Sequence, residues 1–133
     1  MNDATQIVPP IKLGNTIIDD THEEFTTLLS QLINTPNEKY ASAFKTFLEH
    51  VEKHFSQEDS LMLQSRDPSL AEHQSEHKRV LGELKQFEKR IAMGRSSLAK
   101  AYIKDKLPEW FSLHTSTMDS ALVAHLEKTN TEL

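Results

Sequence analysis

Apolar residues recur along this chain at alternating intervals of three and four, the period of an α-helix with one buried face. Ile18, His22, Phe25, Leu29 and Leu32 form one such stripe, and Tyr40, Phe44, Phe47, Val51 and Leu61 a second that continues through His54 and Glu58. A third contains Leu70, His73, His77, Val80, Leu84, Phe87 and Ile91, and a fourth Leu107, Phe111, His114, Met118, Leu122 and His125. No strand-like alternation and no internal repeat competes with four helices.

Local signals place the boundaries. Residues 1–18 carry Pro9-Pro10 and Gly14 without helical period, so an extended N-terminal arm is expected there and the folded domain over 19–133. Asp20 with Glu23 fits a capping box for the first helix. Thr35-Pro36-Asn37-Glu38 fits a second start, with Thr35 as cap and the proline where its missing N–H costs nothing; that helix should run to about Gln64. Asp67-Pro68 repeats the arrangement for the third helix, which Gly94 can end in a left-handed turn, and Ser96 or Ser97 opens the fourth. Pro108 either kinks that last helix or marks a restart. Connections of only a few residues make neighbours antiparallel, which predicts an all-α, up-down-up-down antiparallel four-helix bundle.

Composition narrows the class. At 133 residues, with 37% hydrophobic and 26% charged, one soluble domain is expected. A net charge of -5 argues against a nucleic-acid surface, which needs a basic face. The chain has no cysteine, which excludes disulfides, thiolate zinc sites, iron–sulfur clusters and thiolate-ligated haem; any metal must be held by nitrogen and oxygen. With neither a signal-like N-terminus nor about 18 successive apolar residues, no membrane span is expected and a cytoplasmic location is the default.

The polar exceptions within the stripes carry the chemistry. His54 with Glu58, and His73 with His77, are pairs four apart on a helix, so each pair can face one object. If the second and third helices fold back about a turn near Arg66, Glu58 lies level with His73 and His54 with His77. A turn near Arg95 then brings His114 and Asp119 to the same level, whereas His22 falls short by about one and a half turns. His50, four before His54, makes a rival His50/His54 pair, and His125 has no partner in the set. For any one histidine alone, a satisfied core or surface role is the better reading.

Seven donors, His22, His54, Glu58, His73, His77, His114 and Asp119, are too many for one ion. Two metals sharing the carboxylates fit them, and imidazole with carboxylate oxygen suits iron or manganese better than four-coordinate structural zinc. Three imidazoles on one ion and two on the other, with shared carboxylates and a solvent-derived bridge, leave one coordination position open.

His22, His54-x-x-x-Glu58, His73-x-x-x-His77 and His114-x-x-x-x-Asp119 together resemble the ligand signature of the hemerythrins, over about residues 18–126, and the chain's size resembles the single-domain bacteriohemerythrins. The resemblance implies two non-haem iron ions, bridged by Glu58, Asp119 and an oxo or hydroxo group. His73, His77 and His114 would hold the six-coordinate iron, and His22 and His54 the five-coordinate one. Dioxygen is the implied partner, bound reversibly for storage, delivery or buffering.

By helix position, Phe25, Phe55, Phe111, Met62 and Leu113 are candidates for the dry walls such binding needs. Phe111 and Thr115 stand where leucine and isoleucine are frequent in that family, and are expected to alter access and speed autoxidation. Thr21 stands where a glutamine is common. The alternative class is a di-iron enzyme that reduces peroxide or nitric oxide or handles iron for repair; oxygen sensing, which usually needs an attached output domain, is a third.

Overall fold

The computed structural model describes residues 12–129; of the arm expected over 1–18, residues 1–11 lie outside them and 16–18 already belong to the first helix. Helix α1 spans Thr16–Ile33, α2 Asn37–Gln64 and α3 Leu70–Ala92. The fourth rod, α4, covers residues 97–129 in five continuous segments: α-helical Ser97–Ala101, π-helical Tyr102–Lys106, α-helical Leu107–His114, π-helical Thr115–Asp119 and α-helical Ser120–Thr129. No strand occurs among the described residues. Cross-helix pairs run in opposite senses, Glu52 with Lys85 and Asp59 with His77 between α2 and α3, so the four helices form the expected antiparallel bundle.

Several boundaries differ in mechanism from expectation. α1 starts earlier than the Asp20–Glu23 capping box, because Asn15 accepts from the Ile18 N–H and caps the helix itself. Asp19 is spent outside the helix, accepting from the N–H groups of Leu13 and Gly14. Thr35 does not cap α2; its hydroxyl donates to the Gln31 carbonyl at 2.7 Å and closes α1, leaving Pro36 at the cap position of α2 with no side-chain bond. Arg66 takes φ +55 at the α2–α3 turn, where the Asp67 N–H reaches back to the Met62 carbonyl and the Asp67 carboxylate accepts from the Ser69 N–H. Gly94, at φ +79, ends α3 as expected.

Pro108 is neither a sharp break nor a restart. A π-turn just before it lengthens the repeat, with the Leu107 N–H bonded to the Tyr102 carbonyl five residues back. The ring thereby enters a rod that stays continuous.

The core has two parts. A large cluster contains Phe25, Leu29, Phe44, Phe47, Phe55, Val80, Leu84, Ile103, Leu107 and Phe111; a smaller one contains Ile18, Leu61, Met62, Leu122, Val123 and Leu126. Each fully buried Phe or Leu contributes about 1.5–3 kcal/mol. On α1, α2 and α4 the polar stripe positions fall between these two apolar plugs.

Candidate metal centre

Six of the seven expected side chains meet at that level: His22 from α1, Glu58 from α2, His73 and His77 from α3, and His114 and Asp119 from α4, all 5% exposed or less. The two carboxylates divide their oxygens. Glu58 Oε1 faces His77 Nε2 at 3.3 Å and His73 Nε2 at 3.8 Å, while its Oε2 faces His22 Nε2 at 3.3 Å. Asp119 Oδ1 faces His73 Nε2 at 3.0 Å and His114 Nε2 at 3.2 Å, while its Oδ2 lies 2.9 Å from His22 Nε2. Each carboxylate thus presents one oxygen to two of the three imidazoles His73, His77 and His114, and the other to His22.

The π-turn over Thr115–Asp119 makes this possible. Five residues along a regular α-helix turn about 140° past a full revolution, which would carry Asp119 away from His114. One residue extra in the turn brings both onto one face.

The donors suit a cation better than one another. His114 Nε2 faces His73 Nε2 at 3.1 Å and His77 Nε2 at 3.3 Å, nitrogen against nitrogen. Glu58 Oε1, Asp119 Oδ1 and His22 Nε2 are buried without a well-aligned hydrogen bond, despite the short distances. One donor atom from each of Glu58, His73, His77, His114 and Asp119 lies within 4.8 Å of all the others, so the group is able to hold a metal ion.

A family model, the Hemerythrin HHE cation binding domain, matches residues 13–133. The chain belongs to the hemerythrin family. It is 32% identical over 116 residues to a bacteriohemerythrin of Ralstonia nicotianae, covering 87% of this chain and 84% of that one. A bacteriohemerythrin of Aquifex aeolicus is 27% identical over 120 residues, 86% of this chain and 92% of its own. No solved structure matches significantly.

In this hemerythrin domain the seventh residue, His54, is placed differently. Its Nε2 lies 3.3 Å from Glu24 Oε1, which also lies 2.9 Å from His50 Nδ1. His77 meets Glu58 and Asp59. His125 serves the turn, its Nε2–H donating to the Ser65 carbonyl at 2.8 Å.

The expected apolar walls divide. Phe111 sits edge-on to His22 with centroids 5.3 Å apart and Phe25 stacks behind it at 4.1 Å, while Phe55 stacks on the His77 ring at 4.0 Å. Met62 is fully buried. Leu113 is 65% exposed, so it is no wall: one residue before the inward His114, it points to solvent.

Three supporting residues gave no signal in the hydrophobic pattern. Asp59 Oδ1 lies 2.9 Å from His77 Nδ1 and fixes that ring's outer nitrogen. Trp110 stacks on His114, centroids 4.5 Å apart, and donates its indole N–H to Glu76. Glu24 joins His50 to His54.

Burial and the carboxylates pull the proton affinities of the cluster in opposite directions. Burial alone would lower the His22 and His77 pKa values, but Asp119 and Glu58 outweigh it at His22, and Asp59 and Glu58 at His77, raising both to about 9. Burial opposes ionisation of the carboxylates, and Asp119 repels Glu58, yet the surrounding imidazoles hold both below the ordinary range, Asp119 well below. Burial pushes His54 down, with Glu24 opposing. Glu58 and Asp119 thus face two imidazoles that hold their protons more tightly than free histidine, and a metal cation binding there would displace those protons.

Proposed function

We propose that this chain binds dioxygen reversibly, for storage, delivery or buffering in the cytoplasm, at a non-haem di-iron centre. The observation that carries the proposal is the division of the carboxylate oxygens, one of each toward His73, His77 and His114 and the other toward His22. Two ions at those two places would share Glu58 and Asp119, with His73, His77 and His114 on one and His22 with His54 on the other. His54 completes this set by turning its ring inward from Glu24. When bound, a di-iron centre would supply the two electrons that reversible dioxygen binding requires, one from each ion.

The residues of the chain do the rest. Glu58 and Asp119 would hold the ions, and Asp59 sets the orientation of His77 by accepting from Nδ1–H. Phe111, Phe25 and Phe55 cover the imidazoles with hydrocarbon, which restricts the water and protons that promote irreversible oxidation. Thr115 is the polar exception: its hydroxyl is buried next to His114 in sequence without a hydrogen-bond partner, consistent with faster autoxidation than an aliphatic residue would allow. The nearby carboxylates Asp59 and Glu24 are already engaged by histidines, which favours binding over acid–base turnover.

Loading the protein with Fe(II) without oxygen, exposing it to air and then removing the oxygen tests the proposal. A coloured form that bleaches on deoxygenation is expected. Rapid irreversible oxidation, with consumption of added peroxide or nitric oxide, would establish the enzyme instead.

A further inference from the structure

His50 lies outside the set of seven inward donors, yet it is four residues before His54, and His54 is four before Glu58. On α2 these three form a ladder with steps of about 6 Å. The ladder leads inward. Side-chain exposure is 39% at His50, 8% at His54 and 6% at Glu58. At its outer end Glu24, 50% exposed and reaching over from α1, places one oxygen 2.9 Å from His50 and 3.3 Å from His54. One donor atom from each of Glu24, His50 and His54 lies within 4.8 Å of the others, and the two rings are 6.0 Å apart.

We propose that Glu24, His50 and His54 form an outer site for a divalent transition-metal ion, through which ions pass to the inner centre. Two imidazoles and one carboxylate are a ligand set that suits Fe(II) and its neighbours. With only three protein ligands, two of them well exposed, the ion keeps several waters and is held loosely, as a transit site requires. His54 belongs to both sites. Released from Glu24 and turned toward Glu58, it would carry the ion from the solvated end of the ladder to the buried one. The hand-over rests on the reading of the inner cluster as a metal centre; the outer site does not.

The test uses the full-length chain freed of metal by chelation, with Co(II) as the probe and no oxygen present. Histidine ring resonances are followed by NMR during stepwise addition, and filling of the inner centre by the visible cobalt spectrum. In the native protein the His50 signals are expected to broaden before those of His73 and His77. In His50→Ala and Glu24→Ala, filling of the inner centre is expected to slow by about tenfold or more, the size of effect that local capture has on association, with its final occupancy unchanged. Both altered side chains are substantially exposed, so circular dichroism should remain that of the native fold. Filling at the native rate in either variant, or His50 signals that never respond, overturns the proposal. A native protein in which His73 and His77 stay unperturbed at saturation would instead overturn the inner-centre reading, and the hand-over with it, while His50 still reports the outer site on its own.

Discussion

His77 is engaged at both ring nitrogens, Nδ1 toward Asp59 at 2.9 Å and Nε2 toward Glu58 at 3.3 Å. That double engagement, and the position of His22 Nε2 between Glu58 and Asp119, raise both pKa values to about 9 from 6.5. The raised values give the metal-free fold a stabilising contribution that is complete below pH 6.5 and is lost as pH rises through about 9. Metal binding runs in the opposite sense, because the ion must displace those protons; its affinity should rise over the same interval. At pH 7.5 the native chain is expected to release about two protons on filling, measurable with a weakly buffered indicator. Asp59→Asn should release fewer and weaken metal binding by about 10–100-fold, with the helix content retained. The inward residue types were legible in the sequence because histidine and glutamate interrupt apolar stripes at core positions. Asp59 was not, since one residue beyond Glu58 it reads as an ordinary partly solvated position. The direction of His54 was not legible either: both candidate pairs, His50/His54 and His54/Glu58, share the same four-residue spacing.

At the level of elements, the fourth rod departs most from what periodicity anticipates. The stripe through Leu107, Phe111 and His114 was expected to continue at Met118, Leu122 and His125, but Thr115, Asp119, Leu122, Val123 and Leu126 are the buried residues beyond His114. The π-turn at Thr115–Asp119 inserts one residue and advances the buried face by one position. A signal for it was present: His114 and Asp119 are five apart, and no regular α-helix points both inward. Deleting Ser116, an exposed residue of that turn, should yield an unbroken α-helix in which the two ligands are four apart and still share a face. Metal stoichiometry is expected to survive that deletion, with a thermal midpoint equal to or above the native one. Deleting Ser112 from the regular segment just before His114 should rotate everything beyond it by about 100° and abolish metal binding. Equal loss in both deletions would refute the role given to the π-turn. The helix starts were legible only to within a turn, because Asn15, Asp19, Asp20 and Thr35 are all plausible caps and only the packed chain decides which side chain bonds to which end.

Across the whole molecule, four amphipathic rods with short connections have few ways to bury their stripes, so the bundle and its antiparallel order followed from the pattern alone. What the pattern could not supply was the partition of the core. Phenylalanines crowd the larger cluster, while the smaller one consists of aliphatic side chains and Met62, and the polar layer lies between them. The chain has a single tryptophan, Trp110, and its ring lies at 20° to that of His114 with centroids 4.5 Å apart. An optical reporter is thus built in against one of the imidazoles: iron taken up there should quench the indole emission, and a chelator should restore it. Uptake and loss become measurable in the unlabelled protein by fluorescence.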